Sequence, residues 1–449
     1  MLSRRLRAVR GKTIRRYRLR RLLAPTKGFR LALAVFLVGN AAFLIGFALS
    51  FRDQIPSLID LMARRTEALM SIFVPADYLG QARWLVGGVL LFVGLYLIIQ
   101  GLQLGLRNLF NIINPDSKGG LGKTFVRRSA LARGPRIVVL GGGTGLSTLL
   151  RGLKEYSSNI TAIVTVTDDG GSSGRLSGEL GMIPPGDIRN CLVALADAEK
   201  SMTDLFQYRF SGDSGSLSGH SLGNLLIAAL TSQARGDFEQ AIEIASDVLA
   251  IRGRVVPSTL SHVRLRALME DGTELCGETT IVASARRIRR IFLDPEEVMA
   301  HETAIEAILE ADLICIGPGS VYTSVIPNLL VPGISEALEK SEAKKAYICN
   351  VMTQRGESDT FSASEHVTAI NANTDRRIFD YVLVNTGVPS PSTLDKYRGA
   401  GQALVDPDLD RIRAMGFRVL PGDYMNETDL VRHDPNRMAS RLVALVEKK

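Results

Sequence analysis

Four cysteines in 449 residues, with no C-x-x-C among them, leave nothing from which to build a disulfide scaffold or a zinc ribbon. Charged residues make up only 22% and apolar residues 46%, which excludes a largely disordered chain. Acidic residues are scarce in one place above all. Residues 1–136 hold 5 Asp/Glu against 23 Lys/Arg, whereas residues 137–449 hold 41 against 31. The formal charge of +8 therefore belongs to the first third, and the acidic remainder argues against a nucleic-acid groove there. The length itself exceeds what one core usually serves.

Two long apolar runs are present. Residues 31–51 contain only Asn40 and Ser50 as polar members, and residues 84–106 only Gln100 and Gln103. As helices they would be about 32 and 35 Å long, enough to cross a hydrocarbon layer of ~30 Å. A cleaved signal peptide is the rival reading of the first, but its apolar region exceeds the usual ~7–15 residues. Twelve Lys/Arg precede the first run, four lie in the loop between, and seven follow in residues 107–136. The positive-inside rule then predicts a multi-pass membrane protein with both termini and the main domain cytoplasmic. The expected organisation is a basic N-terminus (1–30), a transmembrane helix (31–51), an extracytoplasmic loop (52–83) and a second transmembrane helix (84–106). A juxtamembrane linker (107–135) and a nucleotide-binding domain (136–449) complete it. Within the loop, residues 55–74 mix Leu58, Leu61 and Leu69 with Arg64 and Arg65, the pattern of an amphipathic helix lying on a membrane.

From residue 136 the pattern changes. Short apolar runs without alternation each end in a polar turn: 136–140 before Gly141-Gly-Gly-Thr-Gly145, and 160–167 before Asp168-Asp169-Gly-Gly-Ser-Ser-Gly174. The same grammar returns at 313–316 before Gly317-Pro-Gly-Ser320, at 346–349 before Asn350 to Gln354, and at 381–384 before Asn385-Thr-Gly387. Unalternating strands with helical spacing between them (Leu146, Leu149, Leu150, Leu153) predict an α/β fold, a Rossmann-like doubly wound and mostly parallel sheet. All such turns then lie at the carboxyl edge, where these sheets bind ligands. Residues 255–293 predict an antiparallel insertion with strands at 263–268 and 279–283. Arg286, Arg287, Arg289 and Arg290 follow, as a solvated face or a phosphate clamp. Beyond Gly401 one helix, 435–447, is expected to close the domain.

The turns carry the chemistry. Backbone N–H groups of Gly141, Gly142, Gly143, Thr144 and Gly145 open a helix and can cradle a phosphate, although Leu146 replaces the third glycine of G-x-G-x-x-G and no Walker lysine follows. Asp168 and Asp169 suit ribose hydroxyls or Mg²⁺ held against a pyrophosphate. Gly171, Ser172, Ser173 and Gly174 form a second anion nest, with Arg175 as a charge partner. Asp187 is either the N-cap of the next helix or a site residue, with Arg189 and Asn190 expected to face a ligand. His220, in the glycine-bounded run Ser218-Gly-His-Ser-Leu-Gly-Asn224, suits ligand contact or acid–base work. Cysteine and histidine spacing gives no metal cluster.

As an ordered set, residues 141–145, 167–175, 184–190, 218–224, 317–324 and 350–357 resemble the family of the 2-phospho-L-lactate transferase CofD and its bacterial YvcK-type gluconeogenesis factors. The resemblance covers roughly residues 135–445 and omits the two-span anchor. It implies a CofD-like Rossmann fold and ligand contacts that also take in Ser221, Asn224, Gly317, Gly319, Ser320, Thr323, Asn350, Thr353 and Gln354. YvcK-type members imply a nucleotide-sugar ligand such as UDP-N-acetylglucosamine, with a role in carbon allocation to the cell wall and in cell shape. CofD-type members imply a Mg²⁺-dependent phospholactyl transfer from a nucleotide-activated donor, in which Asp169, Asp187 and His220 would act. The run after Asp169 places the chain nearer YvcK. A nucleotide-sugar binder without turnover is the first reading, the transferase the second, and an NAD-dependent oxidoreductase the last. The expected partners are the nucleotide sugar, the lipid bilayer, a second copy of the chain and cell-wall or regulatory proteins, but no nucleic acid.

Overall fold

Strands of four or five residues, the central ones apolar on both faces, assemble the sheet that organises this chain. The computed structural model describes residues 55–72, 74–78, scattered residues from 81 to 100, and 129–447 except 198–199, 213 and 428–429. The chain divides into two units, Met1–Ala130 and Leu131–Lys449. In the first, Ile55–Met70 is a 16-residue helix, as its amphipathic spacing predicts. Among the described residues no helix is long and apolar enough to cross a membrane. The run 31–51 lies wholly outside the described residues and 84–106 largely so, as do residues 1–30 and 107–128.

In the second unit seven strands form one sheet in the order β10-β9-β8-β7-β1-β2-β3. They are β1 (Ile137–Gly141), β2 (Ile160–Val164), β3 (Arg254–Pro257), β7 (Leu313–Ile316), β8 (Lys344–Ile348), β9 (Tyr381–Asn385) and β10 (Arg418–Gly422). Every pairing is parallel. All residues of β1, β2 and β7 are buried, which is why their sequences show no alternation. Helix α1 (Gly143–Leu153) lays Leu146, Leu149, Leu150 and Leu153, each fully buried, into the core. Burying one such leucine contributes ~1.5–3 kcal/mol. Helices α2 (Gly171–Leu180), α3 (Gly186–Leu195) and α4 (Leu222–Gln233) follow in the crossover from β2 to β3.

Three local expectations are corrected. The run 160–167 is strand only to Val164, and Thr165 and Thr167 then join hydroxyls 3.1 Å apart. Residues 279–283 are not a strand but part of helix α5 (Glu278–Ala283). The insertion's strands are β4 (Arg264–Met269), β5 (Glu274–Cys276) and β6 (Ile288–Asp294), in the antiparallel order β5-β4-β6. The β-branched run Thr279-Thr-Ile-Val282 favours a strand, but Asp169 seizes the N–H and hydroxyl of Thr279 and tertiary contact overrides propensity. Beyond Gly401 the chain supplies more than a helix. It adds β10 at the sheet edge and the hairpin of β11 (Met425–Glu427) and β12 (Val431–His433). Helix α7 (Pro435–Val443), numbered after α6 (Ala363–Thr374), closes the unit against α1.

The arginine run is a surface feature. Arg286 pairs with Asp271 at 3.1 Å and Arg290 with Asp375 at 2.7 Å, while Arg287 and Arg289 are exposed.

Candidate functional site

After β1 the chain moves out through β2 to β3. It later returns to the other flank of β1 as β7 and continues outward to β10. Strand order thus reverses between β1 and β7, and the carboxyl edge at that point is where open α/β sheets bind ligands. The loops that follow these two strands touch. A methyl group at Gly145 would stand 2.5 Å from the Pro318 carbonyl oxygen, so only glycine lets α1 begin here. Asn328 Nδ2 ties the Gly141 carbonyl (3.1 Å) to that of Ser324 (2.8 Å). From the end of β8, Asn350 Nδ2 donates to the Gly319 carbonyl at 2.9 Å and Gln354 Nε2 to Ser320 Oγ at 2.8 Å. Residues 321–325 form a single π-helical turn, a form that recurs at functional sites. Thr144 is exposed at the mouth of the glycine loop.

Carboxylates crowd the β2 side of this point. A methyl at Gly142 would meet Asp187 Oδ2 at 2.6 Å, which places that carboxyl directly beneath the glycine loop. Pro185 holds the N-cap position of α3, and Asp187 sits in its first turn. Burial, then the Asp168 charge, push Asp187 up to about 6, partly offset by the Gly143 N–H. Glu278, on the inserted helix α5, is pushed up to about 9 by burial and by Asp168, Glu357, Asp187 and Asp169. Glu357, 8% exposed, accepts from Thr323 Oγ1 at 3.1 Å, leaves Oε2 without a partner, and is pushed up to about 7 by burial. Asp168 accepts the Gly170 N–H at 3.0 Å. Among the described residues no group of three or more His, Cys, Asp or Glu has the spacing of a metal cage.

A third cluster joins the loops 171–175, 189–190 and 218–224. Ser172 Oγ lies 3.0 Å from His220 Nδ1 and accepts from Asn224 Nδ2 at 3.1 Å. Ser221 caps α4 through the Asn224 N–H, and Arg175 Nη2 donates to the Ser218 carbonyl at 2.7 Å. Ser173 abuts Gly186, and Gly174 lies against the Asp169 carbonyl so closely that any side chain would collide. The expectation that Arg189 faces outward is corrected. Arg189 is 9% exposed, and its guanidinium donates to Ser221 Oγ and, at 2.7 Å, to Asn190 Oδ1. It is an internal strut, because the helix on which it lies is covered by the 218–224 loop.

The turns chosen from sequence are therefore brought to one rim, with different roles. Asp169 is committed to Thr279, and Thr353 to Ala403, whose N–H it accepts at 2.9 Å. Glu357 closes the 350–357 motif, where only its burial in the fold marks it as a site residue, and Asn328 has no glycine-rich company in the sequence to mark it. Glu278 sits in an insertion that carries no signal of its own. A separate cleft of about 410 Å³, lined by Leu180, Met182, Ile183, Phe238, Leu260 and His262 among others, lies toward the β3 edge.

The family model for the 2-phospho-L-lactate transferase CofD matches residues 137–425, the span from β1 through the start of the final hairpin. The chain belongs to the CofD family. Within it the relatives are gluconeogenesis factors of the YvcK type. The chain is 49% identical to the gluconeogenesis factor of Bacillus subtilis over 70% of its own length and 99% of the relative's. It is 48% identical to that of Halalkalibacterium halodurans, over 68% and 95% of the two chains. A crystal structure of a UPF0052-family protein from Bacillus halodurans matches with a TM-score of 0.67 and 47% identity, covering 69% of this chain and 99% of that one. The sheet and rim described above are thus those of a CofD-family chain that is similar to gluconeogenesis factors.

Proposed function

We propose that this gluconeogenesis-factor relative binds a nucleotide sugar of the UDP-N-acetylglucosamine type across the switch point between β1 and β7, and that it reports wall-precursor supply. The observation that carries the reading is the meeting of two glycine-bearing loops, 141–145 and 317–320, at the one place where strand order reverses. Backbone N–H groups at the start of α1 suit the diphosphate. The carboxylates of Asp168 and Asp187 would repel it unless a cation intervenes. Mg²⁺ is commonly held by one or two carboxylates plus ligand phosphates, a donor set these residues fit. Calorimetry with UDP-N-acetylglucosamine, with and without Mg²⁺, tests the reading. Binding of GTP or NAD in its place would overturn it.

The transferase reading draws support from the family model and from two raised carboxyls: Asp187, at about 6, can exchange a proton near neutrality, while Glu278, at about 9, holds its proton there. Phospholactyl transfer from a guanylylated donor to a deazaflavin, lost in Asp187→Asn, would establish it.

The proposal extends to a membrane address. Within the second apolar run, the described residues Leu85, Val89, Phe92, Val93 and Tyr96 are helical and exposed. Resistance of the full chain to alkaline extraction from membranes is the expected result, and release into the supernatant would refute the anchor. A lipid-surface position suits a regulator of cell-wall synthesis and cell shape.

A further inference from the structure

We propose that Asn224 and Ser172 together fix the proton of His220 on Nε2, so that a neutral imidazole offers this N–H to an oxygen of the bound ligand. The inference rests on the reading of the sheet edge as a ligand site and assigns a residue role within it. An amide NH₂ has hydrogens to donate and no lone pair to offer. Because Asn224 Nδ2 donates to Ser172 Oγ at 3.1 Å, the serine is an acceptor on that side. Its single proton is then free for His220 Nδ1, 3.0 Å away. A nitrogen that accepts carries no proton, which leaves the ring hydrogen on Nε2. Ser172, His220 and Asn224 are each at most 5% exposed, so water does not compete for the relay.

The other ring nitrogen is placed to be used. Nε2 has no protein hydrogen bond and is not sealed from solvent, unlike the partnerless Nε2 of His366. The charged groups facing the ring are Arg175 and Arg209, with Glu179 opposing them. Burial first, and then Arg175, hold the imidazole below the ordinary histidine range, so it stays uncharged near neutrality. An uncharged N–H beside two guanidinium groups suits an anionic oxygen, such as one on a phosphate. Ser172 and Asn224 are positioning residues in this scheme, and His220 is the contact.

Nitrogen-15 labelling of histidine in the full-length chain gives five imidazoles to follow, and the His220 signals are those absent from His220→Gln. The expected pattern is the Nε2–H tautomer at pH 7.5. In Asn224→Asp the new carboxylate takes the serine proton, Ser172 accepts from Nδ1, and the tautomer reverses. Affinity of that variant for UDP-N-acetylglucosamine then falls about tenfold at pH 7.5, and its deficit relative to the unaltered protein at the same pH closes as acidification puts protons on both nitrogens. Ser172→Ala, a smaller change, yields a mixture of tautomers and an intermediate loss. An Nδ1–H tautomer in the unaltered protein overturns the proposal, as does the Nε2–H form persisting in folded Asn224→Asp. The tautomer is read without ligand. Failure of the nucleotide sugar to bind any of these proteins would therefore count against the ligand reading, separately from the relay.

Discussion

Oδ1 of Asp169 accepts two hydrogen bonds from Thr279, one from its backbone N–H at 2.9 Å and one from its hydroxyl at 2.6 Å, across 110 residues of sequence. This pair stitches the turn after β2 to the start of the inserted helix α5, and it brings Glu278 to the rim. Asp169 therefore acts as a clamp. Asp169→Asn keeps an oxygen that can accept from Thr279, whereas Asp169→Ala keeps nothing. The expected costs in urea unfolding are about 0.5 and 1–3 kcal/mol respectively. Ligand affinity should change less than threefold in Asp169→Asn, while a loss beyond tenfold would reassign the residue to direct cation binding.

Glu357 should make the ligand-free protein less stable as pH rises. Its carboxyl is pushed up from 4.5 to about 7 in the folded state, so the folded chain holds that proton more tightly than the unfolded one. The associated stability is fully present below about pH 4.5 and is lost as pH climbs through 7. Asp187, pushed up to about 6, adds a component of the same sign at lower pH. Glu357→Gln removes the Glu357 ionisation penalty and should gain on the order of 1–3 kcal/mol at pH 8 with little change at pH 5. Melting temperatures across that range decide it, and parallel curves for the two proteins would contradict the assignment.

The sheet was legible because a parallel strand buried on both faces must be apolar throughout, as in Ile137 to Leu140 and Leu313 to Ile316. The rim was legible because glycine and aspartate cluster where such strands end. The helix at Glu278–Ala283 was not, since its residues favour a strand and only the distant Asp169 overrules them. Arg189 misled for a related reason. Its place in the first turn of α3 is evident from Pro184-Pro-Gly, but the loop that buries it returns thirty-two residues later, at Ser221. Glu278 and Glu357 meet only through the fold, so no spacing in the sequence joins them.

Two helical glycines should respond to alanine with opposite signs. Gly145 starts α1 against the Pro318 carbonyl, and a methyl group there would force the two switch-point loops apart. Gly145→Ala should cost about 1–3 kcal/mol and weaken nucleotide-sugar binding at least tenfold. Gly178 lies within α2 with nothing within 4 Å of an added methyl. Gly178→Ala should therefore stabilise by about 0.5–1 kcal/mol through helix propensity alone, with binding unchanged. Denaturant melts and calorimetry on the pair separate loop contact from propensity, and equal effects would show that the loops do not shape the site.

The rim also predicts how cation and proton compete. Asp187 lies beneath the glycine loop and is held near a value of about 6 by burial and by the charge of neighbouring Asp168, whose carboxylate stands against Gly186 at the start of the same helix. A divalent cation stabilises the ionised form, so it must displace a proton when it binds with the nucleotide sugar at mildly acidic pH. The Mg²⁺-dependent part of the affinity should accordingly rise about tenfold from pH 5 to pH 7 and flatten above. Asp187→Asn should abolish that rise, because the amide has no proton to lose, while Asp168→Ala should lower affinity with the slope retained. Calorimetry in buffers of different ionisation heat reads the released protons directly. Mg²⁺-dependent binding without proton release at pH 6 would mean that Asp187 does not hold the cation.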